Sequence, residues 1–244
     1  MSMWDDISED AIQRGLRTRI LGRNIYVYNE TESTNDIAAE LASQGAEEGT
    51  LVVADVQTKG RGRGGRCWHS PKSMGIWASL ILRPNMHVSD TAYITLLMGV
   101  SIAQAIRCST GLEAVLKWPN DVLIGDKKVC GILSETRSSQ QGLSYAISGF
   151  GINVYQTQDQ FPEELRDKAT SLYLATGQKH SRTALLYDIL EQIEQRYEGV
   201  EMAEITREWQ ILSGISISHR HSDPCLSDLG KRPPKMGMVH SMEG

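Results

Sequence analysis

The sequence predicts an α+β domain with a mixed, largely antiparallel sheet braced by helices. Three observations carry that prediction. Strand-like runs mostly follow one another along the chain, rather than alternating with helices as a regular β-α-β sheet requires. One helical segment, Thr91 to Cys108, is apolar nearly all round and has to be buried against the sheet. The chain's 244 residues, 40% of them hydrophobic, suffice for one sizeable core.

Each element has its own signal. Ser8 to Leu21 reads as a short amphipathic helix with Ile12, Leu16 and Ile20 on one side. Ile25 to Tyr28 is a strand. Ser33, Thr34 and Asn35 are candidate caps for a helix carrying Ile37 and Leu41, which Gly45 closes. Thr50 to Val56 is β-branched and strand-like, and Gly75 to Leu82 is a strand ended by Pro84. After the buried helix come strands over Ala114 to Trp118, Lys128 to Glu135 and Leu143 to Val154, with Gly125-Asp126 turning between the first two. Ser181 to Tyr197 is a long amphipathic helix whose inner face holds Leu185, Ile189 and Ile193, with Gly199 just beyond. Past Leu212 no period is sustained and three prolines appear, so that stretch reads as tail.

Composition narrows the function. The first ten residues are acidic where a signal peptide is basic, and no apolar run is read as membrane-spanning, so a cytoplasmic protein without a membrane partner is expected. Cys67, Cys108, Cys130 and Cys225 are scattered and suit free thiols rather than a zinc site. A net charge of -5 argues against a general nucleic-acid binder.

Within that acidic chain, Gln57 to Lys72 (QTKGRGRGGRCWHSPK) carries Lys59, Arg61, Arg63, Arg66 and Lys72 and no acidic residue. Gly60, Gly62, Gly64 and Gly65 separate the arginines and free the backbone. Guanidinium groups match phosphate and carboxylate in a fork. Gly60-x-Gly62-x-x-Gly65 fits the dinucleotide fingerprint literally but opens no helix, so the Rossmann reading fails. Three readings stay open: a solvated surface loop, an RNA-binding RGG element, and a loop closing over an anionic small molecule. The charge contrast favours the third. A second cluster, Lys117-Trp118-Pro119-Asn120-Asp121, ends a strand and is followed by Lys127-Lys128. Lys117 beside a tryptophan acts strongly on a nearby anion if desolvated, or simply snorkels while Trp118 packs. Gly149 and Gly151 allow a ligand close to a strand, or mark a bulge.

The ordered set GRGRGGRCW, KWPND, KVCGIL with Lys128 before Gly131, and GFGIN, together with Ser33-Thr34-Asn35 upstream, resembles the biotin protein ligases over roughly Tyr28 to Leu212. The resemblance implies the biotin ligase catalytic fold, akin to class II aminoacyl-tRNA synthetases. It also implies ATP-dependent activation of biotin as biotinyl-5'-adenylate, with Mg²⁺ screening the triphosphate. The product is passed to one lysine of a biotin carboxyl carrier domain, that of acetyl-CoA carboxylase or a related carboxylase. By this resemblance Ser33, Thr34, Asn35, Gln57, Arg61, Gly62, Arg63, Lys128 and Gly131 form the biotin site. Arg63, Arg66, Trp68, Asn120, Lys128 and Asn153 hold ATP or the adenylate. Arg63, Lys117, Asp121 and Lys128 carry the chemistry, with Lys117 and Asp121 orienting either the acyl phosphate or the incoming lysine.

The chain departs from the family at both ends. About twenty residues precede the first strand, fewer than a winged helix-turn-helix needs, so the monofunctional class without DNA binding is expected. Residues 1–212 read as the catalytic domain. Residues 213–244 read as a poorly ordered tail in place of the usual SH3-like barrel, since Pro224, Pro233 and Pro234 oppose strands. In that tail His219, His221, Asp223 and Cys225 could hold a metal, although a plain tail is the simpler reading. The rival functions are a lipoate ligase-like enzyme, a biotin-binding protein impaired in transfer, and an RNA binder. An exposed sheet edge would admit a homodimer.

Overall fold

The computed structural model describes residues 7–139 and 142–214. In chain order it contains α1 (Glu9–Gly15), β1 (Ile25–Tyr28), α2 (Thr34–Ser43), β2 (Leu51–Ala54) and β3 (Gly75–Leu82). There follow α3 (Ala92–Thr110), β4 (Ala114–Lys117), β5 (Asp121–Ile124), β6 (Lys127–Ser139) and β7 (Gly142–Asn153). The last described elements are α4 (Leu172–Thr176), α5 (Arg182–Gly199) and α6 (Met202–Leu212). Among the described residues the strands form one seven-stranded sheet in the order β1-β2-β3-β7-β6-β5-β4. Only the β1–β2 pair is parallel. The mixed, largely antiparallel α+β sheet is therefore as expected.

Side-chain alternation splits the central strands between two layers. On β3, Ile76, Ala78, Leu80 and Leu82 join the main core with α3 and α5, while Ile81 packs with Ala38 and Ala42 of α2 on the other face. On β7, Ala146, Phe150 and Ile152 face the main core and Ile147 faces α2. Gly149 and Gly151 have the parity of Ile147, so they lie bare on the α2 side. A shelf is thus left between α2 and the β6–β7 pair.

Several boundaries moved, for physical reasons. α1 stops at Gly15, where only a glycine fits against the Tyr187 ring of α5, and Leu16 is already extended. The stretch expected to finish that helix is held instead by Glu194 of α5, which accepts from the backbone N–H of Arg19, Ile20 and Leu21 at 2.6, 2.8 and 2.9 Å. β5 was not foreseen: it is four residues long and follows the cis Trp118-Pro119 bond. Neither α4 nor α6 was foreseen. α6 docks through Ile205, Trp209 and Leu212, which are buried. The span Val88–Thr110 is long and apolar enough to cross a membrane, contrary to the expectation of none. Here it contains the core helix α3, with Met98, Val100, Ile102, Ala103 and Ile106 fully buried. The expected tail, with His219, His221, Asp223 and Cys225, lies outside the described residues apart from its first two positions.

Candidate active site

A cleft of about 430 Å³ opens over the bare shelf, roofed by the segment joining β2 to β3. That segment doubles back on itself. Gln57 bridges Thr31 and Ser70, and Arg61 bridges Cys67. Trp68 N–H donates to Gly60 O at 2.8 Å, and Gly62 N–H to Arg66 O at 2.6 Å. At its tip Gly64 and Gly65 have φ of 69° and 74°, backbone that L side chains adopt with strain. Arg63 and Arg66 stand exposed there, and Arg66 Nε donates to Arg63 O at 3.0 Å.

One end of the cleft is uncharged and rich in hydrogen-bonding groups. Ser33 is the N-cap of α2 yet its hydroxyl makes no capping bond, unlike most serines at that position. Gln57 Oε1 accepts from Thr34 N–H and from its hydroxyl at 2.8 and 3.1 Å, and Gln57 Nε2 donates to Ser70 Oγ at 2.8 Å. Ser79, fully buried, reaches Thr34 Oγ1 at 2.7 Å and Asn35 Oδ1 at 2.6 Å. A Cβ on Gly149 would overlap Asn35 Oδ1, so that glycine is what lets α2 approach β7. Arg61 lies at the rim of this end, with its guanidinium on Glu135 and Asp36.

The middle is a tryptophan lying on two glycines. Gly131 and Gly151 face each other across β6 and β7. A Cβ on Gly131 would be 2.9 Å from the Trp68 ring, and one on Gly151 would overlap its Nε1. Lys128 Nζ sits 5.0 Å from the Trp68 ring centroid, a cation–π contact, and 2.7 Å from Asp121 Oδ1. A bulge in the β5–β6 register between Val122 and Leu123 puts Val129 into the core, out of turn. Lys128 is thereby aimed at the cleft, a common use of bulges. Cys130 beside it is fully buried, which pushes its thiol pKa well up and leaves it inert.

The far end collects the remaining predicted residues. Asn120 Nδ2 donates to Ile132 O at 2.7 Å, leaving Oδ1 as its open acceptor. Lys117 is exposed at the mouth, and Trp118 packs edge-on against Trp209, 5.7 Å between centroids. The amide of Asn153 is turned into the protein, taking Gln156 Nε2 and giving to Thr170 O, both at 3.0 Å. Every residue expected in the site borders this one cleft, Gly62, Lys117, Asp121 and Asn153 included.

Sequence reasoning missed Phe161, Leu165, Asp167, Lys168 and Ala169, which form a further wall. Nothing periodic marks them. They arrive because Lys128 N–H donates to Lys168 O at 2.8 Å and Thr170 N–H to Lys128 O at 2.9 Å, a pairing invisible in local sequence. Among the described residues no His, Cys, Asp and Glu side chains cluster to hold a metal. Cys67, Cys108 and Cys130 are free thiols.

Residues 27–153 match the biotin/lipoate A/B protein ligase family. The bifunctional ligase/repressor BirA of Bacillus spizizenii is 46% identical over 191 residues, covering 78% of this chain and 59% of that protein. The biotin–[acetyl-CoA-carboxylase] ligase of Mycobacterium tuberculosis is 31% identical over 194 residues, covering 75% and 70%. Among solved structures, the biotin protein ligase from Aquifex aeolicus in complex with biotin and ATP is similar with a TM-score of 0.66 at 34% identity, covering 78% of each chain. The chain thus spans 59% of the length of the first curated relatives it matches.

Proposed function

The chain belongs to the biotin/lipoate A/B protein ligase family, and on that premise we propose that it is an ATP-dependent ligase. It activates biotin as biotinyl-5'-adenylate and passes it to a lysine of a biotin carboxyl carrier domain, of acetyl-CoA carboxylase or a related carboxylase. One observation carries the reading. An uncharged hydrogen-bonding end and a cationic end lie in one cleft, separated by the apolar face of Trp68. Biotin has that same order of parts: a neutral ureido group, an apolar ring and chain, and a carboxylate.

In this reading the ureido group meets the Ser33 and Thr34 hydroxyls and Gln57, with Asn35 and Gly62 shaping the pocket. The ring lies along Trp68 above Gly131. Lys128 takes the carboxylate and, with Arg63 and Arg66, offsets the negative charge that accumulates when the carboxylate meets ATP. A carboxylate oxygen attacks the α-phosphorus and pyrophosphate leaves. The lysine amine of the carrier then attacks the acyl carbon. AMP leaves with the electron pair of the broken C–O bond, and the amine sheds its proton as the amide forms. Asp121, already 2.7 Å from Lys128 Nζ, holds that ammonium in place, and Lys117 at the mouth meets the phosphates or the incoming lysine. Asn120 and the backbone of Asn153 face the nucleotide, and Phe161, Leu165 and Ala169 supply an apolar wall suited to a purine.

Mg²⁺ fits as a companion of the triphosphate. A hard cation draws its ligands from phosphate and water oxygens with few from protein, and Asn120 Oδ1 is the open neutral acceptor at that end. Its chemistry would be to screen phosphate charge.

The test incubates the pure chain with ATP, Mg²⁺ and either biotin or lipoic acid, identifies the adenylate by mass, then adds a carrier domain. Biotin-dependent pyrophosphate release followed by a biotinylated carrier is the expected result. An adenylate of lipoic acid alone would replace this reading with a lipoate ligase. Biotin binding without pyrophosphate release would leave a biotin-binding protein.

A further inference from the structure

The rim of the cleft sets two carboxylates against one cation. Arg61 donates to Glu135 through both terminal nitrogens, at 3.1 and 2.7 Å, and pairs with Asp36 at 2.8 Å. Arg61 and Glu135 are 40% and 41% exposed, and ion pairs that wet add little to stability. Glu135 differs from Asp36 in also touching a buried group. Its Oε2 accepts from Asn35 Nδ2 at 2.7 Å, and Asn35 is 5% exposed. The amide's other proton goes to Leu133 O at 3.2 Å.

A carboxylate can only accept. Glu135, at the shorter distance, and the Leu133 carbonyl together hold the Asn35 amide with its nitrogen outward and Oδ1 inward, where Oδ1 takes the hydroxyl proton of Ser79 at 2.6 Å. Ser79 Oγ lies equally close to Thr34 Oγ1, at 2.7 Å, and one proton cannot serve both. Once it is drawn to Asn35, the Thr34 hydroxyl donates inward, to Ser79 or to Gln57 Oε1 at 3.1 Å. Its lone pairs are left for the cleft, which is the polarity that an N–H donor requires.

We infer that Glu135 is a positioning residue, setting through Asn35 the hydrogen-bond direction that a ureido N–H meets at Thr34; the inference rests on the ligase reading above. A surface carboxylate thus governs a buried hydroxyl chain it does not touch, without contacting the substrate.

Glu135→Gln separates this role from shape and charge pairing. Glutamine keeps the size and an acceptor for Arg61 but presents an NH₂ to Asn35, so only the longer bond to Leu133 O opposes a turn of the amide and the hydroxyl chain loses its fixed direction. In a biotin-dependent pyrophosphate exchange assay the KM for biotin rises roughly tenfold, while kcat and the KM for ATP stay within about twofold. Asp36→Asn, which alters Arg61's pairing but not Asn35's, leaves the biotin KM within about twofold. An unchanged biotin KM in Glu135→Gln, a loss confined to kcat, or an equal KM shift in Asp36→Asn would each overturn the inference. A wild-type chain with no biotin-dependent exchange would instead sink the ligase reading on which it depends.

Discussion

Trp68 lies where a methyl group on Gly151 would have to be, so the indole's seat depends on the absence of a side chain. Gly151→Ala lifts the ring. The expected cost is about 1–3 kcal/mol of stability, as for other overpacked sites, with weaker adenylate binding. Thermal denaturation and tryptophan emission check both, and an unaltered emission spectrum would contradict the proposed seat. Arg63 makes the complementary case. It stands exposed at the loop tip beside Gly64, whose φ is 69°, so Arg63→Gly should leave stability within about 0.5 kcal/mol while biotinyl-adenylate escapes to solution faster. Trapping released adenylate measures it, and an unchanged release rate would count against retention by this cation. At this scale the sequence was informative where a residue type is rare in its setting, as with arginines among glycines, whereas Ser33 read as an ordinary cap and only the structure shows its hydroxyl making no capping bond. Glu135 and Ser79 were silent, since a half-buried glutamate and a strand serine are ordinary until their partners from α2 are known.

Between elements, two ties connect α5 to segments distant in the chain. Glu194 of α5 is one. Burial raises its pKa, but the backbone N–H groups of Arg19, Leu21 and Ile20, aided by the Arg19 charge, outweigh that and hold it below the ordinary value of 4.5. A carboxylate depressed in the folded state contributes stability above its unfolded pKa and loses it as pH falls through the lower folded value. Glu194→Gln should therefore destabilise at pH 7 by about 1–3 kcal/mol, with the deficit shrinking as pH drops below 4.5. Denaturant titrations at neutral and acid pH decide it, and a deficit independent of pH would contradict the charge argument. The second tie is Arg182, which is 3% exposed and bonded to Asp55 Oδ1 at 3.1 Å and Gly75 O at 3.2 Å. Asp55 is two residues before Gln57, so the pair anchors both feet of the roofing segment. Asp55→Ala removes this hydrogen-bonded carboxylate from a buried guanidinium and should cost about 1–3 kcal/mol, read as a lower midpoint in denaturant. The strands Ile25–Tyr28 and Gly75–Leu82 could be read from composition to the residue. α1 could not, because the stretch after Gly15 is held extended by Glu194 of α5, a contact its own periodicity does not encode.

The cleft runs across the sheet from α2 at one end to the β5–β6 pair and the 161–169 segment at the other. A ligand filling it would bridge α2 and the 161–169 segment. Biotin with ATP, each held near 100 times its dissociation constant, should stabilise the folded chain by about 2.7 kcal/mol per independent ligand. For a domain of this size that is a rise in Tm of roughly 5–10 °C for one ligand. Scanning calorimetry with biotin, with lipoic acid and with ATP alone would register it, and equal shifts with both acids would argue against biotin selectivity. By itself the sequence determined the α+β class and the helix and strand faces that build one core, because hydrophobic period is a short-range signal, while most of the residues that share the cleft were named through the resemblance to a family. Only the tertiary structure decided where those residues point. The β5–β6 bulge aims Lys128, facing glycines seat Trp68, Glu135 orients Asn35, and the 161–169 wall closes the far end. Each of these depends on contacts between segments distant in the chain or on strand register, which no local pattern encodes.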